Sequence, residues 1–280
     1  MELLQIKKTE LYVGLKKEYR FFQISDMHLS CLDENSSQKD INEHKHFHSQ
    51  WDTLKVDFAK DNDEFCDERY NIEPTILFEA LCNRAIEFKA DALILSGDIM
   101  DRVTESNIRY LKSLFSKLQI PVIYCLGNHA YINEEGNRLC QYDRLSQLIK
   151  SPELASYDFG EFELIAIDNN KPISENQLAF LKEKLESNKK LLLVEHKPLL
   201  LGEFGEKLLD KLGTYFFVGT ENDADTTKKF VNLVEEHSDH FIAILCGHIH
   251  SAREYKITEN LMQISTSSGL IGAGREIIIK

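Results

Sequence analysis

Short apolar runs recur along the chain, and a polar residue follows each of the longest ones. Five runs rich in Ile, Val, Leu and Phe occupy residues 20–24, 92–95, 122–126, 191–194 and 241–245. Their length and unbroken hydrophobicity predict β-strands buried in a sheet. Helical patterns lie between them, and an amphipathic helix is predicted to begin at Pro74. Strands that alternate with helices predict a layered α/β chain.

Weaker patterns extend this picture toward the C-terminus. A strand is predicted at residues 164–168, and Ser174 with Gln177 forms a capping-box pattern that predicts the start of a helix. Residues 261–265 and 275–280 are predicted as two strands joined by a glycine-rich turn. We expect this last pair to complete a second sheet.

The segment from residue 33 to residue 70 breaks the pattern and is unusually polar. From Asp33 to Tyr70 it carries eleven acidic residues against five basic ones. We interpret it as an insertion that leaves the sheet directly after Asp26-Met-His28, and two readings stay open: a cap over a pocket, or a solvated surface excursion. Within it, His44, His46 and His48 alternate in a loop-like stretch. An extended strand would place all three on one face as an extra metal site, but a solvated loop is favoured.

Candidate metal ligands follow the five long runs. They are Asp26-Met-His28, Gly97-Asp98 with Asp101, Gly127-Asn128-His129, His196, and Gly247-His248-Ile249-His250. In a layered α/β structure, residues that follow neighbouring strands lie at the same edge of the sheet. Imidazole and carboxylate ligands suit divalent transition ions, and two ions can share a carboxylate at a separation of about 3.5–4 Å. The pattern therefore predicts a dinuclear metal hydrolase, with Asp98 as the bridging ligand.

This ordered set resembles the signature of the calcineurin-like metallophosphoesterases, which is D-x-H, G-D-x-x-D, G-N-H-[D/E], H and G-H-x-H. The match runs from residue 26 to residue 250. The resemblance implies an αββα sandwich of two mixed β-sheets, with the metal site at the C-terminal ends of strands. It implies that one metal binds Asp26, His28, Asp98 and His250, and the other Asp98, Asn128, His196 and His248. It also implies that His129 is a catalytic histidine oriented by Asp101.

Two details qualify the resemblance. The acidic residue that the family carries after G-N-H is Ala130 in this chain, so any bond or charge from that side chain is missing. The strand at residues 164–168 and the Gln-Leu helix start at residues 173–181 resemble the class III cyclic nucleotide phosphodiesterase and glycerophosphodiesterase branch.

Composition and charge are consistent with a cytoplasmic enzyme of one domain spanning residues 1–280. The formal net charge is −13, which disfavours a nucleic-acid partner. No apolar stretch has transmembrane length, and the N-terminus lacks the pattern of a secretory signal, so we expect no membrane association. Six cysteines without C-x-x-C spacing predict reduced thiols.

The sequence thus predicts hydrolysis of a small phosphate ester, either a monoester or a diester, by in-line attack of a hydroxide that bridges two divalent ions. Asn128, His129 and Arg102 are the expected substrate-binding residues, although Arg102 could equally be a surface ion-pair partner. Manganese, iron and zinc are all compatible with the ligand set. The alternatives are a nuclease of the same superfamily and a catalytically silent scaffold that binds proteins. Substrate identity and oligomeric state are left open.

Overall fold

The computed structural model describes residues 4–61 and 72–280, with the side chains of residues 50–61 and 203–204 excepted. Its strands are β1 (Gln5–Leu11), β2 (Tyr19–Ile24), β3 (Ala92–Ser96), β4 (Val122–Cys125), β5 (Leu154–Asp158), β6 (Phe162–Ile167), β7 (Lys190–Val194), β8 (Phe241–Cys246), β9 (Arg253–Lys256), β10 (Met262–Ser265) and β11 (Ala273–Ile279). Its helices are α1 (Gln38–Asp61), α2 (Pro74–Glu87), α3 (Glu105–Lys117), α4 (Tyr142–Leu145), α5 (Glu175–Leu185), α6 (Gly202–Leu212) and α7 (Asp225–Glu236).

The strands form two mixed sheets. The first has the order β1-β11-β2-β3-β4, and the second has the order β5-β6-β7-β8-β10-β9. In the first sheet β2, β3 and β4 are parallel, and in the second β6, β7, β8 and β10 are parallel. Parallel strands point their carboxyl ends to the same edge, which is where the candidate ligands follow.

Three hydrophobic layers hold the sheets and helices together. Phe21, Ile94 and Ile123 of the first sheet pack against Leu164 and Leu245 of the second and form the core between the sheets. A second layer joins the other face of the first sheet to α2 and α3, and a third joins the second sheet to α5 and α7. The result is the αββα sandwich that the resemblance implied.

Most elements predicted from hydrophobic pattern are confirmed. The five long apolar runs are strands, α2 begins at Pro74, and Ser174 and Gln177 form a complete capping box at the start of α5. One expectation about the chain end is wrong. Residues 262–265 join the second sheet, but β11 lies in the first sheet between β1 and β2. Its seven consecutive buried residues satisfy a central strand position, which the glycine-rich turn before it allows the chain to reach.

The loop predicted for the polar segment is also wrong, because residues 38–61 form α1. Ser37 and Asp40 cap its start reciprocally: Ser37 N donates to Asp40 Oδ2 at 2.7 Å, and Asp40 N donates to Ser37 Oγ at 3.2 Å. Phe47 is 1% exposed and anchors the helix. The first half of the helix, residues 38–49, carries more charged residues and histidines than apolar residues, which is why its sequence did not indicate a helix. Residues 62–70 of the predicted insertion lie outside the described residues.

Candidate dinuclear metal centre

The candidate ligands lie at adjacent ends of the two sheets. Asp26 and His28 follow β2, Asp98 follows β3, and Asn128 follows β4, all in the first sheet; His196 follows β7, and His248 and His250 follow β8 in the second. The structure therefore brings together residues that are more than two hundred positions apart in sequence.

These side chains form two neighbouring clusters of metal-binding atoms. Asp26, His28 and His250 form one, and Asp98, His196 and His248 form the other; the ligand atoms within each lie within 4.8 Å of one another. In the first, His250 Nε2 lies 3.1 Å from Asp26 Oδ1 and 3.3 Å from His28 Nε2. In the second, His196 Nε2 lies 3.1 Å from Asp98 Oδ2. Asp98 also groups with His28 and His129, so it stands between the clusters.

The backbone at these positions is strained. Asp26, His28, Asp98, His248 and His250 all have φ between 46° and 66°, in the left-handed region that non-glycine residues rarely adopt. Each such residue costs roughly 1–3 kcal/mol, and strain of this kind persists where the surrounding structure enforces it, often at functional sites. Lys89 is the other non-glycine residue with a positive φ in the described part of the chain. The strain is therefore concentrated at the candidate ligands.

The glycines of the motifs are required by close approach. A Cβ atom at Gly127 would lie 2.0 Å from Asp98 Oδ1, and one at Gly97 would lie 2.1 Å from His196 Nδ1. Gly97 also has φ of 98°. Any side chain at these two positions would displace a candidate ligand, which explains why glycine precedes Asp98 and Asn128.

Backbone groups orient the ligands. His196 Nδ1 donates to the carbonyl of Ser96 at 2.8 Å, which leaves Nε2 directed at Asp98. The second oxygen of Asp26 accepts from His248 N at 3.0 Å, and Asp98 Oδ1 accepts from His129 N at 2.8 Å. Each carboxylate is thus held by the backbone through one oxygen while the other faces an imidazole.

Burial and neighbouring charge shift the pKa values of several candidate ligands. Asp98, His28 and His248 shift toward the metal-binding form, whereas the pKa of His196 is raised because Asp98 outweighs burial. Burial alone would raise the pKa of Asp98, but the imidazoles of His196 and His129 outweigh it and hold that pKa well below its usual range. Burial lowers the pKa of His28 and lowers that of His248 far below the usual imidazole value. Ionised carboxylates and neutral imidazoles are the forms that coordinate metal ions.

His129 has contacts that differ from those of the other histidines. Its Nδ1 donates to the carbonyl of Asp101 at 2.8 Å and lies 3.2 Å from the Asp101 carboxylate. Asp101 Oδ1 also lies 3.7 Å from His28 Nδ1. The carboxylate that the sequence paired with His129 is therefore beside it. Ala130 is 4% exposed and packs in the core between α2 and the first sheet.

Arg102 forms an ion pair with α1 and does not line the cavity over the candidate ligands. Its Nη1 pairs with Glu43 at 2.5 Å. Of the two readings for Arg102, the structure displays the ion pair.

The three histidines of α1 do not share one face. His44 and His48 face the same side with rings 4.3 Å apart, and His44 Nδ1 donates to the carbonyl of Ser30. Among the described residues, no group of three candidate metal ligands includes them.

A cavity of about 430 Å³ opens over the clusters. Its floor comes from the predicted site, including His28, Asp98, Asn128, His129, His248 and His250. Sequence reasoning missed its other side, which is formed by Leu208, Lys211 and Leu212 of α6, Tyr215 and Phe216 after it, and Ile249, Ser251 and Arg253. The spacing of Leu208, Lys211 and Leu212 on one helical face was the available signal. Described α1 residues do not line this cavity, so the predicted cap over the site stays a prediction.

Comparison with known proteins gives consistent results. A probable glycerophosphodiester phosphodiesterase of Arcobacter nitrofigilis is 26% identical over 170 residues, and a probable cyclic nucleotide phosphodiesterase of Synechococcus is 25% identical over 173 residues. The aligned regions cover 58% of this chain and 57% and 58% of those proteins. The chain therefore matches little more than half the length of these curated relatives.

Solved structures share the fold at low sequence identity. A dimetal phosphatase from Danio rerio superimposes with a TM-score of 0.56 at 11% identity, covering 90% of this chain and 88% of that one. A purple acid phosphatase from yellow lupin gives a TM-score of 0.52 at 13% identity, covering 91% and 45%. Within residues 4–61 and 72–280, none of the helices has the length and apolar character needed to cross a membrane. The family model for the calcineurin-like phosphoesterase domain matches residues 19–252, and the chain belongs to that family.

Proposed function

We propose that this protein hydrolyses small phosphate esters with the help of two divalent metal ions. The observation that carries the proposal is the pair of ligand clusters on either side of Asp98, each with its ligand atoms within 4.8 Å of one another. Six donors in two groups of three, one of which is the Asp98 carboxylate between the groups, match the ligand set of a dinuclear hydrolase.

The residues present fit such a pair of ions. Asn128 Oδ1 and His248 Nε2 are buried without a hydrogen-bond partner among the described residues. Buried polar atoms are nearly always satisfied, and both residues line the cavity, so these two atoms support the proposal that a bound ion completes them. We assign Asp26, His28, Asp98 and His250 to one ion, and Asp98, Asn128, His196 and His248 to the other. Oxygen and imidazole ligands together suit manganese, iron or zinc.

When bound, the two ions would supply positive charge for the phosphoryl oxygens and lower the pKa of a water toward neutrality. The chain's own residues then position and protonate the substrate. His129 holds its Nδ1 against the carbonyl of Asp101 and leaves Nε2 to donate a proton to the leaving oxygen. Asp101 acts by orienting this imidazole. Lys211 and Arg253 line the same cavity and favour an anionic ester in a protein whose net charge is −13.

A phosphodiester is the favoured substrate class because both curated relatives are named as phosphodiesterases. The acidic charge argues against a nuclease, which needs a basic surface to follow a polyanion. A catalytically silent scaffold is disfavoured because every candidate ligand and His129 are present.

We also propose one domain, supported by the pairing of β1 and β11, from the two ends of the chain, in the same sheet. A cytoplasmic location is proposed from the unpaired state of the five described cysteines.

The test is metal dependence. Removal of metal by chelation should abolish hydrolysis of bis(nitrophenyl) phosphate, and manganese or a similar ion should restore it. Asp98→Ala should bind fewer than two metals per chain by elemental analysis. Asp239→Ala, which removes an exposed carboxylate just before the start of β8, the end opposite the one that His248 follows, is the matched control and should keep both metals. Full activity in the metal-free protein would refute the proposal.

A further inference from the structure

One side of the cavity is apolar although it faces a cluster of metal ligands. Leu208 and Leu212 of α6 and the rings of Tyr215 and Phe216 form it, and we call these four residues the aromatic wall. The candidate ligands on the opposite side of the cavity are polar. A catalytic centre that handled only a phosphate group would have no use for four large apolar side chains beside it.

The two aromatic rings form a corner next to a candidate ligand. Tyr215 and Phe216 have ring centroids 5.4 Å apart and planes at 89°. Their centroids lie 5.4 and 5.3 Å from that of His248. A flat ring entering this corner can stack against one face and meet the other ring edge-on, which are the two favoured aromatic geometries. A group bound there would lie next to the cluster of candidate ligands that contains His248.

Packing within the fold covers only part of Tyr215, whose ring contacts Phe216, His248 and Lys197. Its side chain is 52% exposed, although large aromatic residues normally gain stability by burial. Its position is nevertheless fixed: Lys197 Nζ lies 4.7 Å from the ring centroid and donates to the Tyr215 carbonyl at 3.2 Å. Gly213, with φ of 89°, ends α6 and turns the chain so that both rings reach the cavity. An exposed ring held in place beside a reactive site is the arrangement of a ligand-binding side chain.

We propose that the aromatic wall is a subsite that binds an aromatic ester group of the phosphate substrate. The proposal rests on the proposed function, since it places the phosphate on the metal cluster and the ring on the wall. It assigns specificity to Tyr215 and Phe216, and it selects esters that carry a planar ring over esters of small or purely aliphatic alcohols.

Non-hydrolysable phosphonates test the subsite without requiring turnover. The metal-loaded protein should be titrated calorimetrically with methylphosphonate, cyclohexylphosphonate and phenylphosphonate, which share one phosphonate group. Burial and ring contacts should make phenylphosphonate bind about tenfold more tightly than methylphosphonate. It should bind about threefold more tightly than the cyclohexyl compound, which has similar size but no flat face.

Variants locate the preference. Tyr215→Ser and the double variant Tyr215→Ser/Phe216→Ser should reduce the phenyl-to-methyl ratio, in the double variant to below about twofold, while both metals stay bound. Tyr12→Ser is the matched control, because Tyr12 is 73% exposed and does not line the cavity. The exposed position of Tyr215 makes the single variant safe for folding, so a result is available even where the double variant fails to fold.

The outcomes separate this subsite from the proposed function. Equal binding of phenyl- and cyclohexylphosphonate, or a phenyl preference that survives in both wall variants, would overturn the subsite. Loss of the preference in the variants would support it. A loaded wild-type protein that shows the preference but hydrolyses neither aryl monoesters nor aryl diesters would refute the proposed function and leave the subsite standing.

Discussion

His129 is the residue whose surroundings say most about the proposed chemistry. Burial alone would lower its pKa, but Asp98 and Asp101 outweigh burial and raise the pKa of His129 to about 9. Its main-chain N–H donates to Asp98, and its ring N–H donates to the Asp101 carbonyl. One bond holds the main chain and the other holds the ring, so the imidazole can present a proton at Nε2 without reorganising.

The first prediction follows from this position. His129→Ala should retain two metals per chain but lose about 10²–10⁴-fold in kcat, the usual range for a general acid. The loss should be smaller for nitrophenyl esters than for alkyl esters, because nitrophenolate leaves without needing a proton. The measurement is kcat for a series of esters with rising leaving-group pKa. An equal loss across the series would exclude proton donation by His129.

The convergence of the candidate ligands was predictable, because each of them follows a strand whose apolar pattern is strong. The strain at five of them was not, since a positive φ leaves no mark on an Asp or His in the sequence. Only the glycines hint at it. Gly97 and Gly127 sit where a Cβ would collide with His196 or Asp98, and the sequence shows them as the first letters of two motifs.

At the scale of elements, a tyrosine hydrogen bond connects the short turn that carries Asn128 and His129 to the second sheet. The turn is a 3-10 helix, Asn128–Tyr131, and the hydroxyl of Tyr131 donates to Asp168 at the end of β6. Tyr142 of α4 donates to the same carboxylate oxygen at 2.8 Å. Ala130 brings no side-chain bond to this turn, so Tyr131 supplies the link between the turn and the second sheet.

The second prediction uses these two tyrosines as a matched pair. Tyr131→Phe and Tyr142→Phe each remove one hydrogen bond to Asp168, so each should lower the free energy of unfolding by about 1–2 kcal/mol in urea titrations. Only Tyr131 lies on the turn with His129. Tyr131→Phe should therefore also lower kcat by something on the order of tenfold, because small misplacements of catalytic groups are costly. Equal kcat values in the two variants would show that the bond stabilises the fold without positioning the turn.

Sequence reasoning missed two elements, for different reasons. The part of α1 with described side chains has one fully buried aromatic residue, Phe47, and many charged ones, so its sequence looked like a loop. The segment from α6 to Phe216 was not recognised as part of the site because its apolar residues face a cavity and not the core. Hydrophobic pattern identifies burial, but it cannot distinguish which buried or half-buried face meets a ligand.

At the scale of the whole molecule, one charged side chain joins the two sheets. Arg275 of β11 in the first sheet is 2% exposed, and its guanidinium pairs with Glu254 of β9 in the second. Its Nη2 also donates to the carbonyl of Ser265 in β10 at 3.0 Å, and its Nη1 donates to Thr9 of β1 at 2.6 Å. Burial lowers the pKa of Arg275. These bonds link the first sheet to β9 and β10 of the second, and β10 is the neighbour of β8, the strand that His248 follows.

The last prediction compares Arg275 with Arg20. Arg275→Met leaves the Ser265 carbonyl and the Thr9 hydroxyl without this donor inside the protein, so it should lower the free energy of unfolding by about 1–3 kcal/mol. Arg20 pairs with Glu18, and both side chains are exposed, at 41% and 36%. Arg20→Met should therefore cost below about 1 kcal/mol. Urea unfolding of both variants, with metal content measured in parallel, checks this. Similar losses for the two would mean that the buried arginine does no more than an ordinary surface pair. A large loss at Arg275 together with weaker metal retention would show that the packing of the two sheets holds the metal centre together.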